Sequence, residues 1–143
     1  MNSNNHQEIH NRSVILAVTH NNARLWLSNE ETMKPYSVIE RRVPENIHVR
    51  GAQAQHGHAS ENGEVAYFAE IADVIRDASS ILLLGHGTGK ANAAERFAHH
   101  LRDHEKQTAI KVASIETLNL PALSEGEIMN EAHRRWKVLT MRS

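Results

Sequence analysis

The chain has 143 residues, with 16 basic and 17 acidic side chains and no cysteine. That length supports one domain burying roughly two-thirds of its unfolded surface and leaves no comfortable room for two. The near cancellation of charge excludes a protein that coats nucleic acid or an anionic membrane with its whole surface, and the lack of cysteine excludes a disulfide framework or a thiolate zinc site.

Residues 1–12 are polar and Asn-rich without periodicity, which predicts a flexible N-terminal tail followed by one domain over 13–143. This start lacks a basic region followed by an apolar stretch, and no later apolar run approaches the ~20 residues that span a bilayer. A soluble, cytoplasmic protein without a membrane partner is therefore expected. Val14–Val18 reads as a buried strand and Ala23–Leu27 as an alternating one, with Thr19–Asn22 between them offering turn chemistry for a hairpin. Ser37–Val43 continues the sheet as a third strand, stopped by Pro44 and marked as an edge by its two arginines.

From Pro44 to Gly63 the pattern disappears into a stretch rich in His, Gln, Ala and Gly, and a loop of that length is usually functional or disordered. Helical spacing resumes at Val65, Phe68, Ile71, Ala72 and Ile75. Ile81–Leu84 has no polar alternate, as suits a strand buried on both faces, and Gly85, Gly87 and Gly89 then open a helix carrying Ala94, Phe97, Ala98 and Leu101. Ile110–Ile115 is the next strand. Ser124 with Glu127 forms a capping box before Ile128, Ala132, Trp136 and Leu139, which predicts a closing helix. Right-handed crossovers require the last two strands to run parallel to one already in the sheet, with helices on both faces. The expected fold is thus α/β: a single domain with a five-stranded mixed sheet, Val14–Val18 and Ile81–Leu84 its central parallel neighbours, similar to the ribonuclease H-like arrangement.

Several patterns bear on chemistry. A phosphate-binding P-loop ending at Gly89-Lys90 would need glycine at 84 and a hydroxyl at 91, where Leu84 and Ala91 stand; a dinucleotide fingerprint would need glycine at 90. Gly87, Gly89 and Lys90 remain an anion-site alternative at the helix N-terminus, which would make the chain a small nucleotide- or phosphometabolite-binding protein. Two-metal nuclease chemistry needs carboxylates that neither the first strand and its turn, Val14 to Asn22, nor the fourth strand supplies. His56-x-His58 and His100 with His104 each offer two metal ligands, but a closed site wants three or four, so no metal or other cofactor is expected and His99, His100 and His104 read as a solvated face. Arg134, Arg135, Lys137 and Arg142 read as cations complementing a helix C-terminus.

Pro44-Glu45-Asn46-Ile47-His48-Val49-Arg50-Gly51-Ala52-Gln53-Ala54 resembles the loop in the central domain of the archaeal and eukaryotic peptide-chain release factors and their Pelota relatives. The order of elements is also similar, over roughly residues 13–138, and is most like that of the bacterial stand-alone members. In those factors the loop carries Gly-Gly-Gln, which enters the peptidyl-transferase centre and helps water attack the ester of peptidyl-tRNA. The resemblance places the catalytic residues at Gly51, Ala52 and Gln53, with Ala52 where the family has its second glycine. An alanine forced into left-handed backbone costs about 1–2 kcal/mol and would misplace Gln53. The resemblance therefore implies a translation-associated module that meets the ribosome or tRNA through the loop 41–58, with peptidyl-tRNA hydrolysis at most vestigial or modified. Arg41, Arg42, His48 and Arg50 are its RNA-binding candidates, set against Glu45 alone. A non-catalytic interaction module is the remaining alternative, and a homo-oligomer stays open.

Overall fold

The computed structural model of the chain describes residues 9–28, 34–42 and 58–141, with side chains from 63 to 139 in the last of these. Five strands, β1 (Ser13–Val18), β2 (Asn22–Leu27), β3 (Ser37–Glu40), β4 (Ser80–Gly85) and β5 (Val112–Thr117), form one sheet in the order β3-β2-β1-β4-β5. Helices α1 (His58–Ile75), α2 (Ala93–His104), the short α3 (Lys106–Ala109) and α4 (Glu125–Met141) complete the domain. β1 pairs antiparallel with β2 and parallel with β4, and β4 pairs parallel with β5. The expected mixed sheet, its ribonuclease H-like strand order and its central parallel pair are all present.

Two-face burial explains why β1 and β4 carry no polar alternate. Val14, Leu16, Val18, Ile81 and Leu83 pack under Phe68, Ile71 and Ile75 of α1 and Phe97 and Leu101 of α2. Ile15, Ala17, Leu82 and Leu84 face the other way, onto Trp26 and onto Ile128 and Ala132 of α4. Each fully buried Leu or Ile contributes about 1.5–3 kcal/mol from leaving water, so this doubly covered pair is the largest stabilising block in the sheet.

The caps follow the sequence closely. The Thr19 amide donates to the Asn22 carbonyl at 2.9 Å and closes the hairpin. The Ser124 amide donates to Glu127 Oε1 at 2.8 Å, and the Glu127 amide donates back to Ser124 Oγ at 3.2 Å, the reciprocal capping box expected there.

Four expectations need correction. Of the expected tail 1–12, residues 1–8 lie outside the described residues, but Ile9 is fully buried in the core under α1 and α2, and the Asn11 amide donates to Asp77 O at 2.9 Å. α1 starts at His58, so residues 58–63 belong to the helix and not to the loop. β3 ends at Glu40, short of Pro44, and sits at the sheet edge as expected. β5 begins at Val112 because Ile110 is taken by the turn that closes α3, where its amide donates to Lys106 O, and its side chain stays 78% exposed. A register shift between Ile81 and Leu82 leaves Ala113 as an extra residue in β5. Among the described residues no helix is long and apolar enough to cross a membrane.

Leu83→Ala should cost about 2–5 kcal/mol in urea denaturation, because a buried cavity opens between the sheet and two helices. Val38→Ala, at a half-exposed position on the edge strand β3, should cost about 0.5 kcal/mol or less. Equal costs would contradict the burial pattern.

Candidate functional site

β1, β3 and β4 all run in one direction, since β2 is antiparallel to both β1 and β3. Their carboxyl ends therefore deliver the Thr19–Asn22 turn, the loop entry at Arg41-Arg42 and the Gly85–Lys90 turn to the same end of the sheet. In open α/β sheets this is the end where ligands bind. The loop stem and the glycine turn, rival sites in the sequence, are neighbours in the fold. Local bonds hold the arrangement: the Arg41 amide donates to Asn21 O at 2.9 Å, and the Tyr67 hydroxyl of α1 donates to Thr19 O at 2.9 Å. Burial keeps that phenol protonated well above its ordinary range, despite the opposing charge of Arg41, so it stays a donor at any physiological pH.

Glu64 of α1 is the tie between the two features. Arg96 of α2 clamps it bidentately, Nε to Oε2 at 3.0 Å and Nη2 to Oε1 at 3.1 Å. Arg41 reaches the same carboxylate, Nη1 to Oε1 at 3.5 Å, and lies 3.2 Å from His20 Nδ1. The remaining Arg96 amino group, Nη1, donates to the carbonyl of Lys90 in the glycine turn. Exposed ion pairs contribute about 0–1 kcal/mol each, but a bidentate Arg–carboxylate pair fixes geometry as well as energy. The side chain of Arg41 is only 9% exposed, so this RNA-binding candidate is engaged inside the protein; Arg42, the next residue, is exposed.

The glycine turn has its own internal logic. A Cβ on Gly85 would lie 2.0 Å from Asn92 Oδ1 and 2.7 Å from Ala94 Cβ, so only glycine lets the turn close onto α2. Asn92, buried, fills that space as the N-cap of α2: its Oδ1 accepts from the amides of Ala94 at 2.9 Å and Glu95 at 3.2 Å, and its Nδ2 donates to Gly87 O at 3.1 Å. Gly87 and Gly89 have φ of +93° and +56°, conformations that favour glycine. The amides of Ala94 and Glu95, two of those at the head of α2 that an anion would need, thus already have a partner. Lys90 is exposed at the surface of this turn. The N-cap pattern of Asn92 ahead of Ala93-Ala94-Glu95 was visible in the sequence and is the signal that the turn is self-sufficient.

Gly51, Ala52, Gln53, His48, Arg50 and His56 lie outside the described residues. A groove of about 890 Å³ runs between α1 and α2, with Val65 and Phe68 on one wall and Arg96, His100 and His104 on the other. His99 and His104 are exposed as expected, but His100 is half-buried against the rings of Phe68 and Phe97, with centroids at 5.7 Å and 6.3 Å. Burial, and then the neighbouring His104, hold its pKa below the ordinary imidazole value. The C-terminal cations also differ from expectation. α4 runs past Arg134, Arg135 and Lys137 to Met141, and Arg134 and Arg135 pair with carboxylates, Arg134 with Glu131 at 3.4 Å and Arg135 with Glu116 at 3.2 Å, instead of capping a helix end; Arg142 lies outside the described residues.

The chain matches no protein-family description and no curated protein. Among solved structures, an archaeal translation termination factor, aRF1, is similar over 92% of this chain and 40% of that one, with a TM-score of 0.49 and 11% identity. This chain therefore spans about two-fifths of that protein's length.

Gly85→Ala should destabilise the domain by about 2–5 kcal/mol, as overpacking adds to a displaced N-cap. Gly89→Ala meets no atom within 4 Å and should cost only the backbone term, about 1–2 kcal/mol. Thermal denaturation of the two variants side by side decides, and a Gly85 variant as mild as the Gly89 one would contradict the packed Asn92.

Proposed function

We propose that this domain is a translation-associated module that contacts the ribosome or tRNA through the loop 41–58, with Gln53 as the residue presented to the peptidyl-tRNA ester. The observation that supports it most is where the loop is rooted. β3 brings Arg41-Arg42 to the carboxyl end of the sheet, and α1 takes the chain back at His58, with Glu64 gripping the entry residue Arg41 from the returning helix. A loop anchored this way can be presented from a rigid scaffold, which is how binding loops work in general. The resemblance of Arg50-Gly51-Ala52-Gln53 to the release-factor loop supplies the chemistry: a glutamine side chain that orients water against an ester carbonyl, and local arginines for the RNA backbone.

In this reading Arg42, His48 and Arg50 meet phosphates, while Arg41 anchors the stem. Neutralising phosphates releases counterions, so binding should weaken as salt rises. Ala52 limits hydrolysis by resisting the backbone angle that glycine accepts, which makes the module a binder first and a weak hydrolase second.

Co-sedimentation with purified ribosomes tests the binding. The intact chain should pellet with ribosomes at low salt, replacement of 43–57 by a Gly-Ser linker should abolish this, and Arg42→Glu should weaken it. Pelleting that survives the linker replacement would overturn the proposal.

The catalytic part has a separate test in a ribosome-based peptidyl-tRNA hydrolysis assay. Ala52→Gly should raise the rate, by about 5- to 30-fold if it recovers about 1–2 kcal/mol of backbone strain, and Gln53→Ala should abolish it. If both changes are silent, the loop does not hydrolyse peptidyl-tRNA.

A further inference from the structure

We propose that His100 and His104 form an open two-imidazole site for a late first-row divalent metal ion, of the Cu(II), Ni(II) or Zn(II) class. The two residues lie one helical turn apart on α2, on the same face, with ring centroids 4.7 Å apart. Histidines four apart on a helix are the spacing by which a single helix gives a metal two ligands. Imidazole nitrogen suits these ions, and affinity within the class peaks at copper.

Three observations separate this pair from the other histidines. His20 lies against Arg41, His86 against the Leu118 carbonyl, His99 against Asp103 and His133 against the Ser28 carbonyl. Among the described residues, by contrast, the ring nitrogens of His100 and His104 have no hydrogen-bond partner and neither residue has an ion pair, which they share only with the exposed His10 near the N-terminus. Second, His100 is held in place: its ring stacks on Phe97 at an interplanar angle of 13° and meets Phe68 edge-on at 63°. A ligand whose ring is already fixed loses little freedom on binding. Third, both rings line the groove between α1 and α2, whose volume of about 890 Å³ leaves space for the water or small anions that would complete the coordination. The lowered pKa of His100 adds support, since a metal binds the neutral ring.

Among the described residues no group of three or more His, Asp or Glu side chains is placed to hold a metal. The site is therefore open and exchangeable, with two protein ligands, and unlike a closed structural zinc centre. It does not depend on the reading of the loop as a ribosome contact, because none of its residues belongs to 41–58.

The test is a Cu(II) titration of the full chain without an affinity tag, followed by calorimetry and electron paramagnetic resonance. The expected result is one equivalent bound with micromolar affinity and hyperfine structure from two nitrogens, with binding weakened about tenfold or more in both His104→Ala and His100→Gln. His104 is exposed, so its variant remains folded and decides the matter if His100→Gln does not fold. No micromolar binding by the intact chain, or wild-type binding by His104→Ala, would overturn the site. Loss in only one of two folded variants would overturn the pairing.

Discussion

The structure depends on burying β1 and β4 on both faces. Neither strand offers a polar side to water, so helices must cover the sheet above and below, and the chain must cross over to place them. α1 and α2 take one face and α4 the other. Right-handed crossovers then fix β4 and β5 parallel to β1, and with that the carboxyl ends of β1, β3 and β4 are brought together. The candidate site is a consequence of these strand directions: the hairpin turn, the loop entry and the glycine turn meet at the end of the sheet where β1, β3 and β4 finish.

At that end of the sheet two polar ties act at different depths. Asn92 is buried and satisfies two amides and a carbonyl in the space left by the absent Cβ of Gly85, so losing it leaves desolvated groups unpaired, at about 1–3 kcal/mol each. Glu64 is a quarter exposed, and its pairs with Arg41 and Arg96 contribute geometry more than stability. The deeper tie makes the glycine turn a structural joint. The shallower one joins the loop entry to α1 and α2. The turn spends its polar groups on the fold, whereas Glu64 ties down the residue at which the loop begins, Arg41.

Most of the fold was legible because the apolar pattern is strong where burial is strong. Val14–Val18, Ile81–Leu84 and the capping box at Ser124 read directly. The misses share a cause: the deciding interaction was either local hydrogen bonding or distant in sequence. His58–Gly63 has no apolar stripe to announce a helix. Ile110 looks like strand but is claimed by the turn after α3, and Ile9 is a single apolar residue in a polar run, buried by a surface made elsewhere. In the site, the tie of Arg41 and Arg96 to Glu64 spans 23 and 32 residues, so no local pattern could show that Arg41 faces inward. The free pair His100 and His104 was visible as spacing. That its ring nitrogens lack partners was not. The role assigned to Gln53 comes from a motif, which carries chemistry in a way periodicity does not.

The central claim, that the segment between β3 and α1 is what meets RNA, is tested most directly by photocrosslinking from position 53. A chain carrying a photoreactive side chain there, irradiated with ribosomes, should crosslink to ribosomal RNA or tRNA, and one carrying it at position 90 in the glycine turn should crosslink far less. RNA crosslinks from position 90 with none from position 53 would contradict the account.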